Sequence, residues 1–492
     1  MSRLVLFALL SGLACSRTSG AGDAATTPPG LSTCIADWPK GPDVTPALAV
    51  SLNVQAPELL WRVPIHAGVT VGPADNGGLV LSGHSLAVST DNGVVLVDKD
   101  GNYAKLPGWV AMDFNFASSL TTDVDGSMYF TAPSGTYGLK PDGSRKWAQL
   151  EGGVVYGEGQ PGAQMGTALA LAPDGVLYGV SSDLQLRAFR SADGAVLWRR
   201  SLGLAQDAPY ASSSVVLGGA GNAVFVRIGV QATSVVDGRD GSELGRLRLA
   251  DGTDLAGSPA GWALSYHPRI CMGLWLFDTC GHLVSSRVFS KALGGPAGGM
   301  TIGILDQFAV STWNVDATGN PIPQTDQIAL YDMNGSVALG PKPGKGGAVA
   351  VGADGTLYTV NCKYTNPQEN RLYAYSPDLD ELWHLDLGKT GYCPTSKGVL
   401  DDDGVLYLAI DNEYHLGSDI MAIQTQSPGL APSAWPMIRH DNRGTMWLVP
   451  ATPAPVTNDG ADTADASTAD APPDVPASMD SVADVADIAD EG

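Results

Sequence analysis

Between about residues 75 and 430, apolar and polar positions alternate in short runs that recur in pairs, with turn residues at fixed offsets. The plainest copy begins Asp174-Gly175-Val176-Leu177-Tyr178, continues Leu186-Arg187-Ala188-Phe189, and ends at Ala192-Asp193-Gly194 and Trp198. Asp125 to Tyr129 opens a second copy that closes on Pro141-Asp142-Gly143 and Trp147. A third runs from Asp354 to Tyr358 and on to Pro377-Asp378 and Trp383, and the last opens at Asp403-Gly404-Val405-Leu406-Tyr407. A period of two predicts strands, and Asp-Gly supplies the left-handed positions of tight hairpin turns. Fainter copies lie around Ser85–Val97, Ala223–Asp237, Trp262–Asp278 and Phe308–Tyr331, which makes eight.

Upstream of several pairs lies a run of small residues, such as Gly346-Gly347-Ala348-Val349-Ala350-Val351. Each unit then reads as four antiparallel strands: a (small residues), b (after Asp-Gly), c, and d (carrying Trp). In the fifth copy Trp262-Ala263-Leu264 takes the place of strand b and Leu274–Asp278 that of strand c. A four-stranded sheet is too small to bury a core alone, and arranging such sheets around an axis solves the problem. The expected fold is all-β, an eight-bladed β-propeller of four-stranded antiparallel blades, with seven blades as the alternative. Leu59-Leu60-Trp61-Arg62 matches the d strand Leu197-Trp198-Arg199-Arg200, so the N-terminal strand is expected to close the last blade. Ala434-Trp435-Pro436-Met437 competes for that slot. Trp147, Trp198 and Trp383 are assigned to packing, while Gly245 and Leu339 stand where Trp is missing from strand d.

The succession Asp-Gly-x-Leu-Tyr, x-Leu-x-Ala-x, Asp-Gly-x-x-x-Trp resembles the PQQ-binding-like β-propeller repeat of the quinoprotein alcohol dehydrogenase-like superfamily, over roughly residues 59–448. The resemblance implies the fold and leaves function open, because many members bind no quinone. The adjacent-cysteine disulfide that covers the cofactor in the quinone enzymes has no counterpart here.

Charge changes the picture by exclusion. A formal net charge of −23 argues against nucleic acid, whose phosphates demand clustered Lys and Arg. At the N-terminus, Arg3 and the apolar run Leu4–Leu13 form an export signal too short to span a membrane. It resembles a bacterial lipoprotein signal, in which Cys15 becomes the lipidated first residue; plain secretion is the alternative. The expected organisation is a signal over 1–15, a flexible tether over 16–31, the propeller over 32–449, and a disordered Ala/Asp/Pro tail over 450–492 that holds no Lys or Arg.

Setting Cys15 aside leaves five cysteines, an odd number. Cys271 and Cys280 are expected to bracket strand c of the fifth blade, more than about 20 Å apart at the strand rise and beyond disulfide reach. Cys362, expected in a b–c loop, and Cys393, expected before the next strand a, share a face of adjacent blades and form the expected bridge. Gly83-His84-Ser85 lacks the helix that a nucleophile elbow requires. Neither the seven histidines nor runs such as Asp401-Asp402-Asp403 have metal-site spacing, so no catalytic or metal residue is expected.

Loop length is the remaining signal. The b–c connections of blades five to eight are longer and richer in aromatic and polar residues than those of blades one to three. Trp313, Tyr364, Arg371, Tyr414 and His415 are the candidate binding residues, all expected in those loops. The expected function is a non-enzymatic, monomeric binding or scaffolding module at the bacterial cell envelope. It engages an envelope protein or polymer and touches the membrane only through its lipid. The alternative is a PQQ-dependent oxidoreductase using the central funnel, which would need PQQ and calcium; the preferred reading needs no cofactor.

Overall fold

The computed structural model describes residue 35 and residues 56–65, 79–90, 93–105, 120–132, 135–150, 169–180, 185–202, 213–218, 223–228, 233–248, 262–265, 269–272, 275–278, 283–285, 296–302, 307–312, 327–332, 334, 336–343, 345–363, 368–390, 398–411, 418–431, 441 and 443. Residues 1–452 form one compact unit and 453–492 another, the second lying outside the described residues. The described residues form eight antiparallel sheets of four strands each. Seven sheets are built from consecutive strands, and they are numbered here from residue 79.

Innermost strands of successive sheets touch one another. Gly398–Leu400 of blade eight meets Leu79–Ser82 of blade one, which meets Thr121–Thr122 of blade two. Ala170–Leu171 meets Thr121–Thr122 and Ser213–Gly218, and Trp262–Ser265, Pro296–Ile302, Lys345–Val351 and Gly398–Leu400 meet in turn as a second run. This radial succession is the arrangement of a β-propeller. Small side chains on these strands suit the crowding near the axis, as the run ending at Val351 illustrates.

Blade eight is completed from the other end of the chain. Glu58–Ile65 pairs antiparallel with Ser418–Gln424 and forms the outer strand of that sheet. Arg62 fixes the join: its Nε donates to Asp419 Oδ2 at 2.6 Å and its guanidinium also reaches the Leu387 carbonyl of blade seven. The competing segment 434–437 lies outside the described residues. After blade eight the main chain returns to the inner strands. Leu430 bridges Gly352 of blade seven, and the Arg443 carbonyl accepts from Thr122 N of blade two.

A single cross-strand row organises four of the blades. Tyr129, Gly138 and Trp147 stand opposite one another on strands b, c and d, as do Tyr178, Ala188 and Trp198. Blade seven repeats the row with Tyr358, Ala374 and Trp383, and blade eight with Tyr407, Ala422 and Trp61. The small central residue lets the two rings meet, with centroids 5.8 Å apart in blades two and seven and 5.9 Å apart in blades three and eight. In the other blades strand c carries Leu or Val in place of the small central residue. The rows become Ala87–Leu96–Ala104, Phe225–Val235–Gly245, Cys271–Leu276–Ser285 and Ala309–Leu330–Leu339.

Three of these four tryptophans also bond to the next blade through the indole N–H. Trp147 Nε1 donates to the Ser191 carbonyl at 2.8 Å and Trp198 Nε1 to the Gly238 carbonyl at 2.8 Å. Trp61 does the same to Lys99 across the closing seam. The rings rest on the c–d turns: a Cβ on Gly194 would lie 2.6 Å from the Trp147 ring, and one on Gly241 2.7 Å from Trp198. Both glycines have positive φ, so the turn and the ring contact demand the same residue.

Blade five differs from the expectation. Trp262–Ser265 is its innermost strand, Arg269–Met272 is strand b and Trp275–Asp278 is strand c. This copy has no Asp-Gly pair before strand b to mark the a–b turn, so apolar content alone placed the strand one position too far along. Cys271 therefore lies within strand b, opposite Leu276. Cys271 and Cys280 do not bracket strand c, and the distance argument against their pairing falls; Cys280 lies outside the described residues.

Candidate functional site

The turn carboxylates are engaged by their own backbone. Asp142 Oδ1 accepts from Ser144 N at 2.8 Å, Asp193 Oδ1 from Ala195 N at 3.0 Å and Asp240 Oδ1 from Ser242 N at 2.8 Å. Asp401, first of the three consecutive aspartates, accepts from Asp403 N and Val405 N and so closes the a–b turn of blade eight. These bonds favour the charged form. The Ser144 side chain holds the Asp142 carboxyl below its usual value, and the Ala195 amide does the same for Asp193 against a small opposing effect of burial. Among the described residues no group of three His, Cys, Asp or Glu could hold a metal ion. Ser85 opens strand b of blade one, opposite Ser82 in a strand-to-strand hairpin.

Of the candidate binding residues, Trp313, Tyr364, Tyr414 and His415 lie outside the described residues, as do Cys15 and Cys393. Arg371 is not in a loop. It lies within strand c of blade seven (Gln368–Tyr375), opposite Asn361 on one side and Asp386 on the other. Cys362 likewise lies within strand b (Leu357–Lys363). The ladder continues to Lys363 opposite Glu369, through residues too polar to carry an alternating signal. The b–c connection is thereby shortened to residues 364–367.

Arg371 heads the outward end of a ladder. Its Nε donates to Asp386 Oδ1 at 2.7 Å, with both side chains well exposed. Tyr373 and Tyr375, two and four residues on, stack nearly parallel with centroids 5.7 Å apart and are buried with Ile328 and Leu330 of blade six. The His384 ring packs on Tyr373, and His384 Nδ1 lies 2.7 Å from Glu381 Oε1. This face grades from an exposed ion pair into an apolar seam. It offers recognition chemistry, with no nucleophile beside a base.

One constellation had no sequence signal. Ser427 Oγ donates to Asp354 Oδ1 at 2.6 Å and lies 2.6 Å from Tyr358 Oη, across 73 and 69 residues of chain. Composition alone resembles an activated serine, but the serine is almost wholly buried, and a Cβ on Gly352 would lie 2.1 Å from its Oγ. With no room for a substrate, the contact is a clasp holding the segment after blade eight to blade seven. Burial pushes the Tyr358 phenol up to about 12, which keeps it neutral and able to donate.

No family model matches the sequence, and no curated protein matches it. Among solved structures, BamB from Moraxella catarrhalis aligns at 11% identity and a TM-score of 0.46, covering 75% of this chain and 100% of its own. The Dos1 propeller aligns at 13% identity and a TM-score of 0.49, covering 75% and 95%. A streptogramin B lyase aligns at 10% identity and a TM-score of 0.37, covering 75% and 97%. The propeller arrangement of this chain rests on its own strand contacts.

Proposed function

We propose that the eight sheets are the blades of one closed ring, and that the protein is a non-enzymatic binding module anchored through a lipidated Cys15 at the bacterial cell envelope. The b–c loops of blades five to eight would engage an envelope protein or polymer. One observation carries the reading: among the described residues, the carboxylates and the serine that resemble catalytic groups serve the scaffold instead. The carboxylates of Asp142, Asp193 and Asp401 cap turns, and the Ser427–Asp354–Tyr358 contact is packed shut. Recognition then falls to the rim, where blades six and eight keep the longest b–c connections, residues 313–326 and 412–417. Contrary to expectation, those of blades five and seven, residues 273–274 and 364–367, are no longer than that of blade three, residues 181–184.

The test is to replace Trp313, Tyr364, Tyr414 and His415 with Ala together and to remeasure the affinity of a partner captured from solubilised envelope. Binding should fall by about tenfold or more while the unfolding midpoint holds. Persistent binding, together with its loss on replacing a–b turn residues, would sink the assignment. For the anchor, Cys15→Ser should move the protein from the membrane to the soluble envelope fraction. Unchanged fractionation with an unmodified mature N-terminus would mean ordinary secretion.

A further inference from the structure

The c–d turn of blade six differs from those of blades two, three and four at one residue. In those three blades Asp142, Asp193 and Asp240 each accept the amide two residues on. Blade six has Asn334 in that place, within Asp332-Met333-Asn334-Gly335-Ser336. The capping passes to Asp332, whose Oδ1 accepts from Asn334 N and from Ser336 N, both at 2.9 Å. Asn334-Gly335-Ser336 is also the one Asn-x-Ser/Thr triplet in the whole chain.

We propose that Asn334 is a modification site that takes an N-linked glycan from a lipid-linked oligosaccharyl pyrophosphate. The inference rests on the export proposed above and goes beyond it, since the triplet is an acceptor in surface loops of exported chains. Three observations of the folded turn support it. Asn334 and Ser336 are both exposed. The two bonds to Asp332 are made by main-chain amides, so they use neither the Asn334 side-chain amide nor the Ser336 hydroxyl, and a glycan leaves them as they are. The turn also lacks the cover that its counterparts have. Trp147 and Trp198 rest on Gly194 and Gly241 in the c–d turns of blades three and four, whereas blade five carries Ser285 in that row, so no indole of the row rests on blade six.

The transfer balances without an oxidant or reductant. Asn334 Nδ2 attacks the anomeric carbon of the donor sugar, and the N–C bond forms as the bond from that carbon to the pyrophosphate oxygen breaks. One Nδ2 proton passes to a base of the transferase, and the polyprenyl pyrophosphate leaves. The Ser336 hydroxyl, two residues on, is the second group the triplet offers for recognition. Asp332, two residues ahead, adds an acidic group that a guanidinium can pair.

The test uses the full chain purified from the envelope of its own organism, with its peptides fragmented by electron transfer in a mass spectrometer. Sugar mass should be localised on Asn334 of the unaltered chain, where misfolding of a variant is not at issue. It should be lost completely in Asn334→Gln and also in Ser336→Ala, which keeps the asparagine and removes only the recognition hydroxyl. The proposal is overturned if Asn334 is bare in mature chains whose N-terminus shows the signal removed, or if the sugar persists in Ser336→Ala. It is equally overturned if Asn334 is converted to aspartate without sugar, the deamidation to which an Asn-Gly pair is prone. A bare Asn334 in chains that retain the signal would overturn export itself, and this inference with it.

Discussion

Trp147 and Trp383 occupy the same place in their blades but differ at one atom. Trp147 Nε1 has the Ser191 carbonyl of blade three. Trp383 Nε1 is buried and has no acceptor among the described residues. The next blade explains this. Blade eight takes its outer strand from the N-terminus, so it has no c–d turn to present a carbonyl, and the chain runs on from Gln424 instead. Replacing either tryptophan with Ala should cost about 3–5 kcal/mol by cavity formation. Phe tells them apart. Trp147→Phe strands a buried carbonyl and should cost about 1 kcal/mol more than Trp383→Phe in urea unfolding. Equal losses would show that these N–H groups contribute nothing to stability.

The turn is the element that makes the repeat visible, and it should also set the acid limit of the fold. In Asp98 a side-chain hydrogen bond from Asn102 lowers the carboxyl, as the Ser144 side chain does for Asp142. Backbone amides lower Asp193 and Asp240. A carboxylate depressed in the folded state contributes stability that is fully present above its unfolded value, near about 3.9. That contribution disappears as pH falls through the lower folded value. The urea midpoint should therefore drop steeply below about pH 4, and Asp→Asn at these four positions should flatten the drop. An unchanged slope would exclude the turns as its source. The same signal explains what sequence could reveal. Wherever Asp-Gly marks the turns, as in blades two, three and seven, the strands fall where alternation places them. Blade five lacks the mark before its strand b and its strands slip. Arg371 and Cys362 were assigned to a loop because polar residues that extend a ladder look the same in sequence as polar residues that leave it.

For the molecule as a whole, the decisive contact is the one that joins the first strand to the last sheet. Arg62 and Asp419 are 357 residues apart, and Asp419 is nearly buried. Arg62→Met leaves that carboxylate without its cation and should cost about 1–3 kcal/mol, discounted because the arginine is partly exposed. Arg371→Met breaks a pair exposed on both sides and should cost less than about 1 kcal/mol. Adding Asp419→Leu to Arg62→Met should recover most of the loss; a further loss in the double variant would mean the pair is not what holds the strand. The distant contacts, Ser427 on Asp354 and Arg443 on Thr122, were beyond sequence reasoning because no local pattern announces a partner so far along the chain. Closure has a consequence for biogenesis. Glu58–Ile65 is made long before Ser418–Gln424, its only strand partner among the described residues. Until then the first strand has an open edge. Folding of that blade must wait until residues 418–424 have been made, and the nascent chain stays exposed to mispairing throughout that interval.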